Sequence, residues 1–272
     1  MVKSASLIIS FYNNLGYLKL LLAALETQTV KNFEVIIADD GSDTSLLPDL
    51  EKLISRSPLS IIHIWHPDFG FRKNRILNKS ILRARNEYLI FTDGDCIPHP
   101  AFIQEHMAAA EPNTILTGRR VNLSDTITQQ LSEEKVRAGS LQKDFRKVIR
   151  DGISGNSYDV EKGFYISNRF VRNFFNNKYR GILGCNFSGY KRDFLAINGF
   201  DERYEAASVG EDSDVQYRFE LLGKKIKSLN NIAVQYHLYH PIQERPQKNL
   251  ELFEKVKQEA KAYTEYGIVH NR

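Results

Sequence analysis

EYLIFTDGDCIPHP (residues 87–100) decides the fold. An apolar run, Tyr88 to Phe91, ends in two carboxylates, Asp93 and Asp95, one glycine apart, and two prolines then stop the extended pattern. Read outward, the same run-then-polar-end pattern occurs three times before it. SLIISFY (6–12), FEVIIADD (33–40) and LSIIHIW (59–65) are apolar and rich in β-branched residues. Helical patterns separate them: YLKLLLAALETQ (17–28), the segment around 44–57 after the GSD turn and cap signal, and RKNRILNKSILRAR (72–85), which spaces Ile76, Leu77, Ile81 and Leu82 along one face. Continuous apolar strands alternating with helices of this length predict an α/β fold, a mostly parallel sheet covered on both faces. Such sheets bind ligands beyond the carboxyl ends of their strands. Those ends read FYN, ADDGSD, WHPDFGFR and TDGD, a concentration of aromatic, acidic and basic side chains that plain turns do not need.

The second half is less regular. TILTGRRVNL (114–123) reads as one strand, 124–152 as polar and mostly helical, NIAVQYHLYHP (231–241) as a strand running into two histidines, and Gln247 to Tyr266 as a charged helix that packs back on the domain. The polar stretch 124–180 suits an acceptor lid or a partner surface equally. With 272 residues, 42% hydrophobic and 26% charged, the composition is that of a globular protein with room for a sizeable core. The net charge of +4 suits a phosphorylated substrate, an anionic membrane face or a merely solvated surface, and does not choose among them. Two cysteines, Cys96 and Cys185, are too few for a disulfide framework or a zinc site and read as reduced thiols of an intracellular protein. No apolar run reaches the length of a membrane span. The expected location is the cytoplasm, free or peripheral on the inner face of the cell membrane.

Asp93 and Asp95 repel one another unless a cation lies near both. A hard divalent ion is the simplest partner, and Mg²⁺ or Mn²⁺ would keep positions open for phosphate oxygens. A helix cap plus a solvated acid is the alternative reading of so short a motif. An EF-hand is excluded, because its sixth position is Pro98 and its twelfth Gln104. No GxGxxG follows the first strand and no GxxxxGK[ST] occurs, which speaks against dinucleotide and P-loop sites. GCNFSGY lacks the glycine two residues before Ser188 that a nucleophile elbow requires. Basic residues are interspersed with acids, so no nucleic-acid partner is expected.

Taken in order, SLIISFYNN, LETQTVKNFEVIIADDGSDTS, FTDGD, GCNFSGYKRDFLAINGFDE and GEDSDVQYRFELLG resemble the family-two glycosyltransferases of the GT-A fold, over roughly the first 240 residues. WHPDFGFRKNRILNKSI and TGRRVNL match a bacterial branch with a galactosyltransferase-like C-terminal half. The resemblance implies a Rossmann-like, mostly parallel sheet flanked by helices in a single domain over 1–245, its nucleotide-sugar half at 1–120 and its acceptor half at 121–245, followed by a helical tail at 246–272. It implies that Ser10, Phe11 and Tyr12 border the uridine, that Asp40 accepts from the uracil N3–H with Asp39 supporting the loop behind it, and that Arg72 reaches the uracil or diphosphate. Asn78 is expected to donate hydrogen bonds behind the site. Asp93 with Gly94 would hold the ribose and share the metal, Asp95 would bind the metal directly, and His237 would be a further ligand, with His240 as its competitor. Asp212 would be the general base and Glu211 a sugar contact, while Asn198, Gly199 and Phe200 would shape the sugar pocket.

What the resemblance implies for function is a metal-dependent inverting transferase. It would move a hexose or N-acetylhexosamine, galactose-type favoured, from a UDP-sugar to a glycan or lipid-linked oligosaccharide acceptor, in bacterial capsule or lipopolysaccharide synthesis. Two rivals share the scaffold. A sugar-nucleotidyltransferase would want a Gly-rich, basic loop after the first strand, where FYNNLGY stands. A non-catalytic nucleotide-sugar or glycan-binding protein would leave the coexistence of TDGD and GED unexplained. One departure concerns EAASVGED, where Ala206, Ala207 and Ser208 stand in place of the aromatic common in the family.

Overall fold

Seven residues, five of them apolar, alternate between two faces to make the first strand, β1 (Ala5–Phe11), a two-faced core element. Leu7, Ile9 and Phe11 join one hydrophobic cluster and Ile8 a second on the opposite face, as the two-residue period of a strand requires. In the computed structural model, which describes residues 2–168, 170–172, 179–206, 210, 212–241 and 247–271, β1 lies between β2 (Phe33–Asp39) and β4 (Tyr88–Asp93), with β3 (Ile61–Trp65) outside β2. All four are parallel. Helices α1 (Leu15–Glu26) and α4 (Phe102–Ala109) cover one face, and α3 (Lys73–Arg83) covers the other through Ile76, Leu77 and Ile81. Helix α2 (Leu47–Arg56) adds Leu50 to the first cluster. Caps match the local sequence: the Asn14 side chain accepts from the Tyr17 amide at the start of α1, and Asp43 accepts from the Ser45 amide ahead of α2.

Beyond β4 the sheet continues through β8 (Phe187–Tyr190), β6 (Thr114–Thr117) and β9 (Lys225–Ser228). Strand β8 is antiparallel to both neighbours, and β9 is parallel to β6, so the seven-stranded sheet is mostly parallel, as expected. The segment TILTGRRVNL departs from expectation. It is two strands, β6 and then β7 (Arg119–Asn122), which belong to different sheets and part at Gly118. A Cβ on Gly118 would lie 2.3 Å from the Asn186 amide oxygen, so the break is built around a residue with no side chain.

The second sheet orders β5 (Cys96–Pro98), β10 (Val234–His237) and β7. Ile97, Val121, Val234 and Tyr236 on one face pack into a third cluster with Leu20, Ala23 and Ala24 of α1. The polar segment 124–152 completes that cluster. Its short helices α5 (Asp125–Gln129), α6 (Glu133–Arg137), α7 (Ser140–Lys143) and α8 (Phe145–Ile153) contribute Val136, Leu141 and Val148. The opposite face carries Cys96, Arg120, Asn122, Gln235 and His237, by register. Gln235 Nε2 donates to Thr92 Oγ1 at 2.8 Å, which turns this polar face toward the carboxyl end of β4.

The C-terminal segment is helical over Gln247–Glu259, shorter than expected, and then returns to the main body. Tyr217 donates to the Lys257 carbonyl, the Glu202 amide to that of Tyr266 and the Ile268 amide to that of Asn198, and Ile268 is buried in the second cluster. Among the described residues no helix is long and apolar enough to cross a membrane.

Candidate active site

Strand register alone gathers the sequence-predicted acids. Ser10 pairs with Asp93 and Phe11 with Asp39, so the carboxyl ends of β1, β2 and β4 lie side by side. At β2 the two acids divide. Asp39 is fully buried and accepts from the Ser42 amide at 2.8 Å, with His63 Nε2 at 3.0 Å, so it supports the loop from behind. Asp40 faces His66 Nε2 at 2.8 Å and accepts from the Arg72 amide at 2.9 Å. Gly41 follows with φ +88°, and a Cβ there would stand 2.6 Å from Asp68 Cα. Only glycine lets the DGS turn touch the HPDFGF loop in this way. Across that contact the exposed Tyr12 hydroxyl donates to Asp68 at 3.0 Å. Phe11 behaves differently from its expected role. Its ring is buried in the first cluster, so it can border the crevice only through its backbone.

Asp93 and Asp95 are in distinct settings. Asp93 Oδ1 accepts from Ser10 Oγ at 2.5 Å and from Lys73 Nζ at 2.7 Å, while the Gly94 amide donates to the Ser10 carbonyl at 2.8 Å. Asp95 instead meets the end of β10. Its Oδ2 is 3.4 Å from His237 Nε2 and 3.3 Å from His240 Nε2, and the two nitrogens are 3.2 Å apart. Burial acts to raise the pKa of Asp95, but hydrogen bonds and charge from both histidines outweigh it and hold the carboxyl well below the usual carboxylate range. The hydrogen bond to Asp95 is also the main reason the His240 pKa is raised.

Three donor atoms 3.2–3.4 Å from one another fit a single ion. Ligands held about 2.0–2.1 Å from a metal are spaced roughly 2.8–3.4 Å apart, from octahedral to tetrahedral geometry. Cys96, opposite His237 in the ladder, places its sulfur within 4.8 Å of the Asp95 and His237 donor atoms. His240, the weaker candidate by sequence, therefore stands level with His237, whereas Asp93, expected to share the ion, is bonded to Lys73 and Ser10.

Asp212 opens the helix Asp212–Leu221, half-buried. Its carboxylate accepts from the Ser213 amide at 2.7 Å and the Gly184 amide at 3.3 Å. Glu211 lies outside the described residues. Asp214, the third acid of GEDSD, serves structure. It is buried against Arg218, which also donates to the carbonyls of Ile197 and Gly199 at 2.9 Å. The expected sugar-pocket residues Asn198 and Phe200 are likewise interior. Asn198 bonds the Thr264 carbonyl and the Val269 amide, and Phe200 packs edge-on to Phe91. Gly199, at φ +72°, makes the turn between them. Asn78 donates to the Phe200 carbonyl and to Glu202 behind the site, as expected. Arg72 sits at the N-cap of α3, its Nη2 3.4 Å from Glu205.

Sequence reasoning passed over Lys73, His66 and Arg120. Each lies in or beside a quoted motif, but a single basic residue has no spacing signature that would mark it.

A mostly parallel sheet with acids at its carboxyl edge and a His-bearing strand beside them defines a protein of the GT-A fold class. The chain belongs to glycosyl transferase family 2, whose model matches residues 6–195, and residues 166–241 also match the model described as the N-terminal domain of galactosyltransferase. It is 26% identical over 253 residues to chondroitin synthase of Escherichia coli, covering 88% of this chain and 35% of that protein. It is 27% identical over 233 residues to the uncharacterized glycosyltransferase YfnE of Bacillus subtilis, covering 79% of this chain and 58% of that one. The chain thus spans a third to somewhat over half the length of these relatives. In fold it is similar to S. aureus TarS in complex with UDP-GlcNAc, with a TM-score of 0.57, 16% identity, and 94% of this chain and 65% of that chain covered. The mannosyltransferase PcManGT from Pyrobaculum calidifontis, in complex with GDP-Man and Mn²⁺, gives a TM-score of 0.55 at 14% identity, over 92% of this chain and 60% of that one.

Proposed function

We propose that the chain transfers a hexose or N-acetylhexosamine from a UDP-sugar to a glycan acceptor, with inversion at the anomeric carbon and with a divalent ion bound. The observation that carries this reading is the convergence of Asp95, His237 and His240 at the strand edge next to Asp93. Those three residues would hold Mn²⁺ or Mg²⁺, and two imidazole donors favour Mn²⁺ over the more strictly oxygen-seeking Mg²⁺. The ion would supply charge neutralisation at the departing diphosphate. Asp40 retains lone pairs for the uracil N3–H, Tyr12 and the Ser10 backbone border the nucleoside, and Asp93 is placed for the ribose. Arg72 stands at the mouth of the same crevice.

Asp212 takes the proton from the acceptor hydroxyl. The hydroxyl oxygen then bonds the anomeric carbon as the bond from that carbon to the phosphate oxygen breaks, and UDP leaves. The Ser213 and Gly184 amides that donate to it at the helix N-terminus hold this carboxylate in place. Attack from the face opposite the nucleotide inverts the centre. Resemblance over 166–241 favours a galactose-type donor, and the kinship with chondroitin synthase supports a glycan acceptor, free or lipid-linked, in bacterial surface polysaccharide synthesis on the cytoplasmic side of the membrane.

Asp212→Asn tests the assignment. The variant should bind UDP as the parent does and lose transfer by roughly 10²–10⁴-fold, the usual contribution of a general base. Transfer at the parental rate would refute the role of Asp212, and donor binding without transfer in the parent itself would favour a binding protein.

A further inference from the structure

Arg120 takes no part in the chemistry set out above, yet it stands in the middle of it. It lies on the crevice-facing side of β7, in register with Gln235, and Asn122 two residues on is in register with His237. The side chain is half-buried, and its one hydrogen bond among the described residues runs from Nη1 to the Cys185 sulfur at 3.4 Å. A thiol is a weak acceptor, and a guanidinium carries five N–H donors in a planar fork. Burial opposes its charge, but the two cysteine sulfurs, Asp93 and Asp95 outweigh that and raise its pKa. Neither carboxylate is bonded to it: Asp93 is held by Ser10 and Lys73, and Asp95 faces the histidines. The result is a fixed cation beside the acid motif with most of its donors uncommitted.

Its position relative to the base narrows what it serves. Cys185 follows Gly184, whose amide donates to Asp212. Arg120 therefore sits between the Asp95 cluster and the turn that holds the base, and the sugar–phosphate bond of a bound donor has to lie between those two. We propose that Arg120 binds the β-phosphate of the nucleoside diphosphate, the phosphate that leaves with the nucleotide. This assignment rests on the UDP-sugar reading given above. The forked guanidinium suits two phosphate oxygens at once, and its charge is in place before negative charge develops on the leaving oxygen, so no reorganisation is needed as the bond breaks.

A comparison of UDP and UMP as ligands isolates that phosphate. Their dissociation constants would be measured by calorimetry in the presence of chelator, so that no divalent ion contributes to the difference, for the parent, Arg120→Gln and Arg120→Lys. The parent should bind UDP more tightly than UMP. Arg120→Gln should lose about 10- to 100-fold in UDP affinity, the usual loss for a charge-assisted hydrogen bond, and keep its UMP affinity within about twofold. Retained UMP binding shows that the variant is folded, and Arg120→Lys should recover part of the loss. An unchanged ratio of UDP to UMP affinity in Arg120→Gln would overturn the proposal, as would a defect confined to the KM of the acceptor. If the parent binds neither nucleotide, with chelator or with Mn²⁺, it is the UDP-sugar reading itself that fails.

Discussion

Asp93 is paired with Lys73 at 2.7 Å, whereas Asp95, two residues on, faces two imidazoles at 3.3 and 3.4 Å. The acid motif thus divides its partners between an ammonium and a pair of imidazoles. The sequence marked both acids, because an apolar strand ending in carboxylates is an unusual local pattern, while His237 came from the family resemblance. His240 ranked below it, since a histidine in a loop three residues further on is also ordinary surface composition. Lys73 and Arg120 were illegible for a related reason: their importance comes from long-range placement, of Lys73 opposite β4 and of Arg120 opposite the Gly184–Cys185 turn. The level standing of the two histidines has a measurable consequence. His240→Ala should weaken Mn²⁺ binding by at least about 10-fold, the loss that even a residue supporting a metal ligand can cause. Titration of Mn²⁺ by electron paramagnetic resonance would measure it. An affinity equal to the parent's would leave His240 as a surface residue.

Helix α4 shows how an element can be secured by one buried polar group. His106 is completely buried, with Nδ1 2.7 Å from Ser188 Oγ and Nε2 3.1 Å from Asn186 Oδ1, so it joins α4 to β8. Burial lowers its pKa to about 4, against a smaller upward effect of the Asn186 hydrogen bond. The unfolded chain takes up the proton near pH 6.5 and the folded protein near 4, so this contribution to stability is complete above 6.5 and is lost as the pH falls toward 4. The difference corresponds to about 3 kcal/mol. Urea unfolding of the parent should show that loss between pH 6.5 and 4, and His106→Gln should flatten it. An equal slope in both proteins would mean that other groups govern the acid range. At this scale the first four strands and their helices were readable, because β1, β2 and β4 are almost wholly buried and β3, though only partly buried, carries the same run of apolar and β-branched residues. The short strands β5, β8 and β9 were not, since runs of three or four residues carry too little periodicity, and Gly118 hid a change of sheet inside what looked like one strand.

The molecule is assembled from two sheets with different tasks. The larger presents Ser10, Asp40 and Asp93 at one edge, and the smaller swings Cys96, Arg120 and His237 toward that edge, with Gln235 bonded to Thr92 across the join. The resemblance to a known family carried the overall architecture, and the match over residues 6–195 agrees with it. The C-terminal helix was expected to pack back on the domain; what no local pattern conveyed was where the chain beyond it docks, with Ile268 entering the second cluster and the Thr264 hydroxyl bonding Asp201. The central claim is that the two sheets together make a metal-dependent site for a UDP-sugar. Its most direct test is UDP release from a panel of UDP-sugars with Mn²⁺, with Mg²⁺ and with chelator, on the parent and on Asp95→Asn. Slow hydrolysis of one donor, greatest with Mn²⁺ and abolished both by chelator and by the substitution, is the predicted result. Hydrolysis that persists unchanged in chelator and in Asp95→Asn, or no release and no metal-dependent UDP binding across the whole panel, would contradict it.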